Sequence, residues 1–302
     1  MEEAFDELKA RYLNLLTDYG FHKVFGVKNL LIDFLNLAIR EESLITDIQY
    51  LPPEQWGNLK TERKAIFDIF CTNEKGEYFI VEMQKEKQPF FRDRCLYYAS
   101  LPIQKQAPRG IWDFRLKAVY MIGILDFVLF DESEEDKEQV VEYVYLVRER
   151  TKTQYSHKLK FVFIELPKFR KTEKELKTRF DRWLFILKNL YKLKERPASI
   201  RDEIFEELFR LAEIKQLTKK DMRTYKKSIT DYHEVRSAMD CAREESREEG
   251  IAVGIEKGIE KGREREKIAV IQKCLLKNMS IDDIIDLTGF SKEQIMEMKT
   301  KN

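Results

Sequence analysis

Two carboxylates and an amide fall at a spacing that suits metal-ion chemistry. Thirteen residues separate Asp68 from Glu82, and Gln84 follows two positions later. The runs carrying them, Ala65–Thr72 and Glu77–Met83, are rich in β-branched and aromatic residues. The intervening Asn73-Glu74-Lys75-Gly76 is turn chemistry, so the pattern predicts a β-hairpin with Asp68 in its first strand. Residues two apart on a strand share a face, which puts Glu82 and Gln84 side by side, and a short turn brings Asp68 opposite them. Glu82 interrupts an apolar run, FIVEMQ. A carboxylate there is costly unless a cation compensates it, and Mg²⁺ needs only one or two carboxylates besides its waters. Such an ion activates water and neutralises charge on a phosphodiester. The plainer reading pairs Asp68 with Arg63 or Lys64 on an edge strand.

The surrounding elements read as an α/β region. Residues 4–40 have helical periodicity, with Gly20 and Gly26 expected to divide them into two helices. Ile45–Leu51 reads as a strand stopped by Pro52 and Pro53, and Pro89–Gln106 as a helix. Lys117–Phe130 has the continuous apolarity of a buried strand, and Val140–Val147 and Leu159–Leu166 are further strands. Beyond Pro167 the pattern is helical. Domains are therefore expected at 1–170 (α/β core), 171–240 (basic helical region) and 241–302 (charged tail ending in a small helix pair). In the tail Gly250, Gly254, Gly258 and Gly262 recur every fourth residue, which suits either close helix approach in a homo-oligomer or a weakly helical segment. The terminal pair carries Asp282, Asp283 and Asp286, which suits interaction better than DNA reading.

Composition sets the outer limits. The chain has 302 residues, 36% charged and 43% hydrophobic, and 20 Phe with 13 Tyr suffice for a real core. No apolar run has the length of a membrane span, and the acidic start MEEAFDELKA lacks a secretory apolar stretch. Four scattered cysteines give no zinc spacing, so no membrane association and a reducing cytoplasm are expected. The histidines His22, His157 and His233 form no ligand pair, and no phosphate-binding glycine loop is present. The net charge of +1 conceals a basic block: residues 151–230 hold 22 Lys and Arg against 11 Asp and Glu. That block is either a polyanion footprint or a set of solvated helix faces.

The hairpin resembles the PD-(D/E)XK nuclease signature, with Gln84 where a lysine usually stands. More closely, the chain resembles the Rpn family of recombination-promoting nucleases, also described as PD-(D/E)XK nuclease family transposases. TDYGFHKVFG (Thr17–Gly26), the hairpin Phe67–Gln84, FFRDRCLYYAS (Phe90–Ser100), VYMIGILDF (Val119–Phe127), FIELPKF (Phe163–Phe169) and the GIEKGIEKG tail carry the resemblance. It implies a restriction-endonuclease-like core, a mixed sheet flanked by helices, with a helical C-terminal region. It implies a Mg²⁺-dependent DNA endonuclease (Mn²⁺ or Ca²⁺ being other divalent choices), associated with recombination or mobile elements. Carried over by position, Asp68 and Glu82 are the metal ligands, Gln84 orients water, and Asp18 is an additional acid facing the site. Asp18 also reads as a helix N-cap. His22 departs from the family's commoner lysine. Gln84 carries no charge, so the missing cation falls to Lys64, Lys85 or Arg94. Arg92, Arg94 and Tyr97 on the following helix are candidate DNA contacts. The loss of the lysine also leaves open a nuclease-fold module that binds nucleic acid or a partner without cutting. A strand-transfer transposase has less support, because no separate three-acid core is found.

Overall fold

The structure, a computed structural model, describes residues 7–41, 43–55, 65–107 and 110–300. They divide into two compact units, 1–237 and 238–302.

The first unit is built on a six-stranded sheet. Its strands are β1 (Ile48–Tyr50), β4 (Ile69–Asn73), β5 (Tyr78–Gln84), β6 (Val119–Leu125), β7 (Val141–Tyr145) and β8 (Leu159–Glu165). The spatial order is β1-β4-β5-β6-β8-β7. The pairs β5–β6 and β6–β8 are parallel and the others antiparallel, so the sheet is mixed. A separate two-stranded ribbon pairs β2 (Glu54–Gln55) with β3 (Ala65–Ile66). All seven residues of β6 are buried, as expected for a central parallel strand covered on both faces.

On one face lie α1 (Asp18–Phe25), α2 (Lys28–Ile39), α4 (Arg179–Asn189), α5 (Glu203–Leu211) and the first turns of α6 (Lys219–Leu276). Phe25, Phe34 and Trp183 pack together here, with Phe25 and Trp183 stacked at 5.6 Å. On the other face α3 (Phe91–Lys105) covers Phe70, Ile80, Met121 and Phe163. Strand parity assigns the faces. Phe79, Val81 and Met83 point to the first layer, while Ile80 and its even-numbered neighbours point to α3.

Several sequence-predicted elements are shorter here, and one is broken. The β4 ladder begins only at Ile69, and Asp68 sits in a bend between β3 and β4 rather than in a continuous first strand. The cause is Phe67, whose buried ring meets Phe70 and Tyr98, each at 5.1 Å. Two successive aromatic demands on the α3 face pull the backbone out of the ladder. The hairpin turn itself is as expected, with Gly76 at φ +73, a conformation most side chains avoid.

Gly20 does not interrupt the first helix. It lies inside α1, whose N-cap is Thr17, and the Thr17 hydroxyl accepts from the Gly20 N–H at 3.2 Å. A Cβ at Gly20 would stand 2.1 Å from the Asn14 carbonyl oxygen. Gly20→Ala is therefore expected to destabilise the unit by roughly 2–3 kcal/mol, read as a fall in Tm by thermal denaturation.

The second unit contains the end of α6, α7 (Ile281–Thr288) and α8 (Lys292–Thr300) around Ile271, Cys274, Ile284 and Ile295. Ser280 caps α7, and Ser291 with Gln294 forms the reciprocal pair that opens α8. Helix α6 runs unbroken through Gly250, Gly254, Gly258 and Gly262, and a Cβ built at any of them meets nothing within 4 Å. Among the described residues no helix is long and apolar enough to cross a membrane.

Candidate active site

The antiparallel β4–β5 register pairs Ile69 with Val81, which sets Asp68 across from Glu82. Their backbones and side chains interlock. The Asp68 N–H donates to Glu82 Oε1 at 3.1 Å, and the Met83 N–H donates to Asp68 Oδ2 at 2.8 Å. The Gln84 amide donates to Glu82 Oε2 at 3.3 Å. Asp68, Glu82 and Gln84 thus share one end of the hairpin, and Glu82 and Gln84 share the α3 face of β5. On the neighbouring strand Gly123 lies opposite Glu82, so no β6 side chain crowds the carboxylate.

Electrostatically the pair is only partly compensated. Burial pushes the Glu82 carboxyl up to about 8, and the Asp68 charge adds to that. The Asp68 N–H, the Arg94 guanidinium and the Gln84 amide oppose the shift. Burial likewise raises Asp68, opposed first by the Met83 N–H and then by His22 and Lys85, while Asp18 pushes it further up. Two adjacent acids, Glu82 buried and Asp68 half-buried, thus both resist ionisation. Asp68 and Glu82 are oxygen donors of the kind a hard divalent ion takes. Among the described residues no group of three or more His, Cys, Asp or Glu gathers in one place.

The raised Glu82 carboxyl has a consequence for stability. A carboxyl whose folded pKa lies above its unfolded value stabilises fully below about 4.5, and that contribution is lost as pH rises through about 8. In chelator, thermal unfolding is expected to show a drop in stability between pH 5 and pH 8 on the order of 2–4 kcal/mol. Glu82→Gln removes the titrating group and is expected to shrink that drop. An equal drop in both proteins would show that Glu82 does not cause it.

The other sequence-predicted residues divide. Asp18 opens α1 as its first residue and is not an N-cap. It forms an ion pair with Lys85 at 2.9 Å, its side chain 65% exposed, and its charge acts on Asp68. Lys85 also lies 5.7 Å from the Tyr232 ring centre. Arg94 is beside Glu82, with its guanidinium over Phe91 and Tyr98 and one nitrogen bonded to Gln88. Its Nη2 is buried and makes no hydrogen bond. Arg92 is tied elsewhere, to Glu132 at 2.7 Å and the Leu129 carbonyl at 3.1 Å. Tyr97 is 40% exposed, while Tyr98 packs on Phe67. Lys64 and Arg63 lie outside the described residues.

Part of the basic block is engaged in ion pairs within the fold. Lys160 pairs with Glu41, Lys168 with Glu165 at 2.5 Å, and Lys171 with Asp181 at 2.7 Å. Glu165 is fully buried, accepts from the Leu129 and Phe130 N–H groups, and so pins the loop after β6.

Sequence reasoning missed two neighbours of the site, Asp126 and Tyr232, and gave a third, His22, no role there. His22 acts on Asp68, and its spacing of four from Asp18 was the available signal, since i and i+4 share a helix face. Asp126 donates its N–H to the Gln84 carbonyl at 2.9 Å and accepts from the Tyr232 hydroxyl at 3.0 Å. Burial raises the Asp126 carboxyl. Tyr232 arrives from α6, more than a hundred residues away, and no local pattern announces it.

Comparison with known proteins agrees with this architecture. No curated protein and no solved structure matches the chain. The family described as PD-(D/E)XK nuclease family transposase matches residues 15–242, and the chain belongs to that family.

Proposed function

We propose that the protein is a metal-dependent DNA endonuclease that hydrolyses phosphodiester bonds, with Mg²⁺ as the first choice of cation and a role in recombination or mobile-element movement. The observation that carries this reading is the cross-strand pair of carboxylates, Glu82 buried and Asp68 half-buried, both raised above their ordinary range. When bound, the ion supplies an activated water and neutralises phosphate charge. Asp68 and Glu82 hold it. Gln84 spends one amide N–H on Glu82 and keeps its carbonyl to orient a water molecule.

The cation that Gln84 lacks is assigned to Arg94. Its guanidinium already acts on Glu82, and its buried Nη2 has no hydrogen bond to give up when a phosphate oxygen arrives. Lys85, held by Asp18, acts on Asp68 from the other layer. The face of α6 bearing its four evenly spaced glycines is proposed as a self-association surface.

The test is conversion of supercoiled plasmid to the nicked form by purified protein. Nicking with Mg²⁺ and none in EDTA is expected. DNA binding that persists in EDTA, without cleavage under any divalent metal, favours the non-cutting alternative and overturns the enzymatic reading.

A further inference from the structure

Phe90 stands apart from every other aromatic near the site. It precedes α3 at φ +58 and ψ 27, left-handed backbone that a bulky residue rarely adopts. Its ring is 80% exposed, whereas the adjacent Phe91 is buried against Phe127 and Phe163. No ring or cation of a described residue stacks on Phe90. Glycine would take this backbone without strain. Holding a phenylalanine there costs conformational energy and exposes apolar surface, and no ring or cation contact among the described residues offsets it. Strain of this kind gathers where a side chain is aimed at a ligand.

The position gives the ligand. Phe90 lies on the lip of an open groove of about 510 Å³, shared with Lys87, Arg92, Leu129, Asp131 and Glu132. One turn onward, the Arg94 N–H bonds the Phe90 carbonyl at 2.9 Å, and the Arg94 side chain acts on Glu82. The groove thus lies one helical turn from Arg94, the cation that acts on Glu82. It is a poor phosphate site, because Arg92 is engaged by Glu132 and the far wall carries Asp131 and Glu132. What suits an exposed aromatic ring beside an acidic wall is the uncharged base of a nucleotide whose phosphate lies toward Arg94.

We propose that Phe90 is a stacking residue for an unpaired base of the DNA substrate, next to the phosphate addressed by Asp68 and Glu82. This rests on the nuclease reading and narrows it to DNA with at least one unstacked base, such as a single strand, a bubble or a frayed end. Stacking on an aromatic face is tolerant of sequence, so the device selects DNA structure rather than a base code.

The test uses the full chain in EDTA, where no cutting occurs, with a short single-stranded oligonucleotide carrying 2-aminopurine. Base–aromatic stacking energies correspond to a ~5- to 150-fold loss of affinity on truncation. Phe90→Ala and Phe90→Leu are both expected to lose affinity in that range, and Phe90→Trp to keep it. The slope of log affinity against log salt should be the same in all four proteins, since stacking releases no counterion. Phe90→Gly should bind as weakly as Phe90→Ala while unfolding at a higher temperature, because it relieves the backbone.

Leucine matching phenylalanine, or Phe90→Gly lowering the melting temperature with affinity intact, would make Phe90 a packing residue and overturn the inference. Wild-type protein that binds DNA with no dependence on residue 90 overturns this inference alone. Wild-type protein that binds no DNA overturns the nuclease reading as well.

Discussion

Asp68→Ala and Glu82→Ala are each expected to lower plasmid nicking by at least about 1,000-fold, with Mg²⁺ present at any concentration that supports the wild type. On the proposed reading each carboxylate supplies half of a two-residue donor set. The double variant should be little worse than either single one, because groups acting as a unit lose their effect together. The isosteric Asp68→Asn and Glu82→Gln separate chemistry from folding. They keep the shape that receives the Met83 and Asp68 N–H groups while removing the charge. Both should fold with the wild-type circular dichroism spectrum and fail to nick. Equal cleavage by wild type and variants would assign the activity to a contaminant.

Arg94→Ala is expected to slow nicking by about 100-fold, the scale of losing one preorganised charge stabiliser. The effect should show a pH signature. Arg94 lowers the Glu82 carboxyl, so its removal moves ionisation of Glu82, and with it the rising limb of the pH–rate profile, to higher pH. Arg94→Lys restores charge without the planar fork and should recover part of the rate and most of the pH position. A variant that loses rate with an unmoved profile would place Arg94 in DNA binding away from Glu82. Single-turnover rates across pH 6 to 9 make the distinction.

The hairpin was readable because two local rules coincide there. Period-two alternation sets which side chains share a face, and the Asn73–Gly76 turn sets which residues meet across the ladder. Hence Asp68, Glu82 and Gln84 could be brought together on paper, and the apolarity of Lys117–Phe130 marked a buried strand. The bend at Asp68 was not readable, because it depends on Phe67 reaching Tyr98 on α3. The ion pairs Lys160–Glu41 and Lys171–Asp181 were equally hidden. A count of basic residues does not say which already have a partner across the fold. Asp18 illustrates the same limit. Its helix and its proximity to the site were expected, but its engagement with Lys85 depends on how α1 packs on β5. Gly20 was misread for a related reason, since the residue that requires its missing side chain is Asn14, in the loop before the helix. Phe90 carries no sequence signal at all, because positive φ at a bulky residue is decided by the chain around it.

The most direct measurement is calorimetric titration of Mn²⁺ into the purified full chain at pH 8, in parallel with Asp68→Asn and Glu82→Gln. Binding to wild type that releases protons, and that is lost in each single variant, is the predicted result, since the ion must displace the proton that burial keeps on this carboxylate pair. Titration curves that superimpose for all three proteins would contradict a metal held between these two side chains.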